Sequence, residues 1–172
     1  MKIMNPKVIK TKIHKDPRGS LQEIFKKKQF SNNFEFALFV SSKKNVLRGL
    51  HFQKKKQQEK FVSVIKGRIL DVVVDLRKKS KTFKKHFKII LSEENCKSLF
   101  IPKGFAHGFL ALDKENIIVY GNTNYRSKND EQGILWNDKN LSIRWPKRKF
   151  IISQKDKNNL TLNEFINKKI RL

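Results

Sequence analysis

Short apolar runs of Val, Ile, Phe and Leu recur along nearly the whole chain, cut apart by Lys, Asn, Gly, Ser and Pro. β-Branched and aromatic side chains suit a pleated surface, and such runs at close spacing between turn residues predict antiparallel strands closed into a sandwich or barrel. Strands are predicted near 7–13, 20–25, 34–40, 46–52, 60–66, 68–76, 86–91, 97–101, 107–112 and 117–123. Lys66-Gly67-Arg68 separates two of them and predicts a tight hairpin, with Gly67 adopting a backbone conformation that other residues resist. Helical character is confined to the end, where Thr161 precedes Glu164 by three residues and apolar side chains fall at 162, 165, 166 and 170. An all-β barrel with a short C-terminal helix is therefore expected, and 172 residues make one domain over 1–172.

The net charge of +25 invites a nucleic-acid reading, but the lysines are scattered in Lys26-Lys27-Lys28, Lys54-Lys55-Lys56, Lys78-Lys79, Lys84-Lys85 and Lys168-Lys169 rather than gathered in one aromatic-laced stripe. An anionic small molecule is the better partner, with no nucleic acid and no membrane expected. No apolar stretch is long enough to span a bilayer and the first residues lack the apolar core of a secretion signal, so a cytoplasmic address is expected. Cys96 stands alone and is read as a bystander.

Chemistry concentrates in two turn-bounded segments, Arg48-Gly49-Leu50-His51-Phe52-Gln53 and Ile101 through Phe109, each carrying one histidine. An imidazole titrates near neutrality, so His51 and His107 are candidate proton carriers, although a histidine in an apolar run is by itself more often a hydrogen-bonded core residue than a catalyst. Within Ile69 to Leu76, alternation puts Asp71, Val73 and Asp75 on one face and Leu70, Val72, Val74 and Leu76 on the other. The carboxylates then either meet water or line a polar cavity, Asp71 orienting a histidine and Asp75 pairing with Arg77 or sitting at the rim. Lys60 shares a face with Val62 and Val64, the place of a ligand-facing ammonium or of a lysine reaching past a strand end. Tyr120 closes the run Ile117-Ile118-Val119 as a proton donor or a packed aromatic. His51 resembles the first histidine position of the cupin barrels; in their metal-binding members another histidine follows two places on, but here stands Gln53, a poor transition-metal ligand, with Glu59 the nearby carboxylate, so no metal is expected. Arg48 and His51 lie an odd number apart, and a regular strand would send them to opposite faces; either a bulge at Gly49 restores both to one face, or one of the two does not reach the ligand.

The chain resembles the dTDP-4-dehydrorhamnose 3,5-epimerase family of the cupin group. The likeness runs through Asp16-Pro17-Arg18-Gly19 with Glu23, Asn45 to Gln53, Asp71 to Arg77, Ile101 to Phe109, Gly133 to Asp138, Ile143 to Pro146 and Ile152 to Asp156. It implies a jelly-roll barrel, a homodimer, no cofactor, and inversion of the carbons flanking the C4 ketone of a nucleotide-linked 4-keto-6-deoxy sugar. By that resemblance His51 is the base, Asp156 its orienting carboxylate, Tyr120 the donor on the opposite face, and Lys60 with His107 the stabilisers of enolate charge. Arg18, Glu23, Arg48, Gln53, Arg126 and Glu131 are assigned to the substrate, with guanidinium groups suited to its diphosphate.

The chain departs from the family pattern around the nucleotide. Phe36-Ala37-Leu38-Phe39-Val40 replaces a polar stretch, Arg126 replaces an aromatic, and Gly121 replaces a lysine after the tyrosine. Two alternatives accompany the epimerase reading: a sugar-nucleotide 3,4-ketoisomerase, and a non-enzymatic cupin binding module.

Overall fold

The computed structural model describes residues 5–170 and 172. The strands are β1 (Lys7–Lys10), β2 (Ile13–Asp16), β3 (Gly19–Gln22), β4 (Phe36–Lys43), β5 (Val46–Gln53), β6 (Lys60–Lys66), β7 (Arg68–Asp75), β8 (His86–Ser92), β9 (Lys97–Ile101), β10 (Phe105–Ala111), β11 (Glu115–Asn122), β12 (Glu131–Gly133) and β13 (Ile151–Ile152). Two short helices follow, α1 (Gln154–Lys157) and α2 (Leu162–Asn167). One sheet has the order β1-β9-β6-β11-β4; the other has the order β12-β5-β10-β7-β8, with β13 joined in parallel to β5. Strands β2 and β3 form a separate hairpin. Among the described residues no helix is long and apolar enough to cross a membrane.

Alternating side chains divide the apolar residues among three layers. Val62, Val64, Leu99 and Ile118 of the first sheet meet Ile69, Val73, Phe105 and Phe109 of the second, forming the core between them. Leu47, Leu50, Phe52, Leu70, Val72 and Val74 face the other way and are covered by Ile134, Leu141, Leu162 and Phe165. Outside the first sheet, Phe61 and Phe100 lie under Phe25, Phe30 and Phe34. Each fully buried Leu or Phe contributes roughly 1.5–3 kcal/mol relative to an exposed one, which is why the C-terminal segment stays on the sheet. Thr161 caps α2 through the backbone N–H of Glu164, whose carboxylate accepts in return from the Thr161 N–H.

The turn at Gly67 differs from the expected hairpin. Strands β6 and β7 do not pair; each lies between two partners in a different sheet, so the chain crosses from one sheet to the other there. Gly67 has φ +76°, and a Cβ would come within 2.2 Å of the Glu115 carbonyl oxygen, so the crossing excludes a side chain. The segment read as one strand over 7–13 divides into β1 and the start of β2, and β3 ends at Gln22, short of the expected 25.

Strand β5 takes the first of the two alternatives, a bulge. His51 is opposite His107 and Arg48 opposite Phe109, so three steps on β5 match two on β10. The extra residue is Gly49, at φ +112° with a cis peptide to Leu50; a Cβ would meet Gly108 Cα at 2.6 Å. Leu47 and Leu50 consequently both reach the outer core while Arg48 and His51 both face inward.

Candidate active site

A cavity of about 350 Å³ opens between the two sheets. The second sheet contributes Arg48 and His51 from β5 and His107 from β10; the first contributes Lys60 from β6, Tyr120 from β11, and Phe36, Leu38 and Val40 from β4. Loop residue Arg126, Glu131 of β12, and Ser153, Lys155 and Asp156 close one side.

The histidines form two carboxylate pairs of unlike exposure. His51 Nε2 lies 2.6 Å from Asp156 Oδ1, and its side chain is 26% exposed. Asp156 is placed by α1: Ser153 caps that helix through the Asp156 N–H, and β13 ties the preceding residues to β5. Its other oxygen accepts from Gly49 N–H at 3.1 Å. Burial pushes the Asp156 carboxyl up, but the hydrogen bonds from His51, Gly49 and Ser153 outweigh it and hold the group below its ordinary value. An ionised Asp156 accepting the Nε2 proton leaves the other ring nitrogen with its lone pair, the state a base requires. His107 Nε2 lies 2.8 Å from Asp71 Oδ2, both side chains being buried. The remaining Asp71 oxygen is buried without a hydrogen-bond partner among the described residues.

The opposite wall carries the buried Tyr120 and the half-buried Lys60, both with shifted titration. Burial pushes the Tyr120 hydroxyl well up, and the nearby Asp71 charge reinforces this, so it keeps its proton across the neutral range. Its ring packs edge-on to His107 with centroids 5.9 Å apart. Burial draws the Lys60 ammonium below its ordinary value, against the upward pull of Glu131 and Asp71. No side-chain hydrogen bond or ion pair among the described residues engages the Lys60 ammonium. An ammonium held without a partner in an apolar wall gains most from a negative oxygen arriving beside it.

At the mouth, Arg126 Nη2 lies 2.7 Å from Glu131 Oε2, and Lys155 also binds that carboxylate. Burial alone would raise Glu131, but the Arg126 and Lys155 hydrogen bonds reverse the effect and bring it down to about 2. Phe36 stacks on Tyr125 with centroids 5.5 Å apart and planes 6° from parallel. The rim therefore carries flat groups and fixed charges where the departures from the family pattern fall.

Other expected substrate residues lie elsewhere. Arg18 sits at the β2–β3 turn, 90% exposed and paired with Asp16 at 2.6 Å; Glu23 pairs with Lys26, and neither lines the cavity. Gln53 is buried beside the cavity but serves the loops, donating to the carbonyls of Lys56 and Tyr125 and accepting from Ser127 N–H. Asp75 is paired with Arg77 at 2.8 Å, and Cys96 is a free thiol in the turn between β8 and β9. Sequence reasoning did not single out Lys155, although it immediately precedes Asp156; its signal lay in that adjacency.

The double-sheet barrel, its interior histidines on paired strands, defines a cupin-type jelly roll. The dTDP-4-dehydrorhamnose 3,5-epimerase family model matches residues 1–164. A relative of that name from Methanothermobacter thermautotrophicus is 43% identical over 165 residues, covering 91% of this chain and 89% of its own. Another from Escherichia coli is 39% identical, covering 95% and 92%. The crystal structure of dTDP-6-deoxy-D-glucose-3,5-epimerase from Legionella pneumophila, in complex with dTDP-4-keto-L-rhamnose, superposes with a TM-score of 0.93 at 37% identity, covering 99% of this chain and 95% of that one. The chain belongs to the dTDP-4-dehydrorhamnose 3,5-epimerase family.

Proposed function

We propose that this protein inverts the carbons flanking the C4 ketone of dTDP-4-dehydro-6-deoxyglucose or a close analogue, at C3 and C5 or at one of them, without a cofactor. The observation that carries this reading is the approach of His51 and Tyr120 to one cavity from opposite sheets. Inversion needs a base on one face of the sugar and an acid on the other, and each wall supplies one. His51 takes the proton beside the ketone, Asp156 stabilises the resulting imidazolium, and negative charge moves to the ketone oxygen. Lys60 and the His107–Asp71 pair surround that charge, while Tyr120 delivers a proton to the opposite face. Arg48 meets the diphosphate, and Arg126, fixed by Glu131, borders the nucleoside. We assign the protein to the cytoplasm, as befits a substrate activated by a nucleotide.

Incubation with the 4-keto sugar nucleotide in deuterated water tests the reaction. Deuterium is expected at C3, C5 or both, with the ketone retained at C4. A ketone relocated to C3 would make the protein a ketoisomerase, and no exchange with any of several nucleotides would make it a binding module.

Lys60 predicts the alkaline limit. The ammonium is charged below its pKa and neutral above it, and burial lowers that pKa, so activity should fall with rising pH before a free lysine would titrate. Tyr120 is shifted upward and does not set this limb. Lys60→Arg, which keeps its charge, should move the limb to higher pH; a limb unmoved in that variant would exclude Lys60 as its source.

A homodimer also belongs to this reading. Phe39 is 73% exposed on the outer face of β4, and Arg18 and Glu23 stand on or beside a hairpin away from their own cavity. Two copies joined across this region would give both residues a cavity to serve. Sedimentation is expected to show a dimer for the native chain and a monomer for Phe39→Asp; a monomeric native chain would overturn the assignment.

A further inference from the structure

A second groove, of about 560 Å³, is formed by residues 136–150 and shares no lining residue with the catalytic cavity. Its aromatic walls are Trp136, Trp145 and Phe150. Trp136 meets Trp145 at a centroid distance of 6.4 Å and Phe150 at 5.2 Å, both edge to face. Trp145 Nε1–H donates to the Trp136 carbonyl at 2.8 Å, which fixes that indole. The three rings are half-buried against the outer apolar layer, and edge-to-face packing leaves one ring of each pair with faces its partner does not cover.

The rim is cationic. Arg144, Lys147 and Arg148 are exposed lining residues, and Lys139 adds a fourth positive charge. None of the four has an ion-pair partner among the described residues. The lining carboxylate, Asp138, is buried and turned inward, accepting from Asn140 N–H at 2.8 Å and from Leu162 N–H at 2.7 Å. Arg148 donates to the neutral Asn45 side chain. Lys88 reaches the Arg144 carbonyl and brings a further cation to the same side.

We propose that this groove is a second nucleotide site, holding a nucleoside diphosphate with its base against the indoles and its phosphates on Arg144, Lys147 and Arg148. Planar heterocycles stack on aromatic faces, and guanidinium and ammonium groups recognise phosphate. The volume lies within the range of small-molecule sites, about 300–1,000 Å³. Rings and rim cations come from one continuous segment, which suits a single nucleotide better than a strand needing an extended track. The proposal stands independently of the epimerase reading.

The chain has two tryptophans and both line this groove, so intrinsic fluorescence reports on it directly. Titration with ADP is expected to give saturable quenching with an apparent Kd of about 1 mM or below. The triple variant Arg144→Gln, Lys147→Gln, Arg148→Gln changes only exposed side chains and should weaken binding by about tenfold or more, whereas Arg48→Gln in the catalytic cavity should leave it unchanged. Inorganic pyrophosphate, lacking a base, should bind about tenfold more weakly than ADP. The proposal is overturned by absent or non-saturable quenching, by quenching that survives the triple variant, or by quenching that disappears with Arg48→Gln. Equal binding of pyrophosphate would remove the stacked base, and far tighter, steeply salt-dependent binding of a single-stranded oligonucleotide would make the groove a strand-binding surface instead.

Discussion

His51→Asn is expected to abolish measurable deuterium incorporation from solvent, a loss of about 10²–10⁴-fold or more, while leaving the protein folded. The side chain is partly exposed at the cavity wall, and asparagine keeps an N–H that can serve Asp156 in a group without basicity. His51→Ala should lose the same activity, but it also strips the buried Asp156 Oδ1 of its histidine partner, leaving the Gly49 N–H and Ser153 to support the carboxylate. Alanine should therefore lower the melting temperature more than asparagine, separating lost chemistry from lost support. Cys96→Ala, in a turn outside the cavity, should exchange at the native rate. Deuterium incorporation at an undiminished rate in His51→Asn would mean that another group is the base.

Tyr120→Phe is expected to split the reaction in two. Abstraction by His51 does not require the tyrosine, so deuterium should still enter the sugar; the carbanion would then be reprotonated from the face that lost the proton. The product is deuterated substrate of unchanged configuration, with inversion reduced by about 10²–10⁴-fold and exchange within about tenfold of native. Proton magnetic resonance distinguishes the two, since exchange removes a signal whereas inversion changes its couplings. Tyr120 suits this task because burial beside Asp71 holds its proton until an adjacent carbanion demands it. Inversion at the native rate in this variant would remove Tyr120 as the donor.

Local pattern exposed the barrel strands because each has a face against an apolar layer, and alternation separates the faces. In β7, Asp71 and Val73 turn inward while Leu70, Val72 and Val74 turn outward, as the two-residue period requires. Pattern alone could not tell hairpin from crossing at Gly67, because partner choice depends on which sheet has room and the glycine serves either path. Strands β12 and β13 are too short to show alternation; they exist because β5 offers them hydrogen-bonding edges. At the site, the Arg48–His51 spacing allowed either a bulge or one residue turned away from the cavity, and the extra residue at Gly49 brings both inward. The remoteness of Arg18 and Glu23 was not legible, because a motif identifies a residue type without saying which cavity its hairpin approaches. Gln53 was read as a substrate contact, yet two carbonyls and a backbone N–H claim its amide.

The division of the cavity between central and marginal strands has an evolutionary consequence. His51 and His107 lie on strands paired on both sides, β5 and β10, where a slip of register would disturb several neighbours at once. Phe36, Leu38 and Val40 lie on β4, the margin of the other sheet, with a single strand partner among the described residues, and Arg126 lies in a loop. Substitutions at that margin can accumulate without moving the proton-transfer groups. A lineage can thus exchange one nucleotide handle for another while its chemistry stays where it was, and the unusual rim of this chain is the kind of drift such a partition permits.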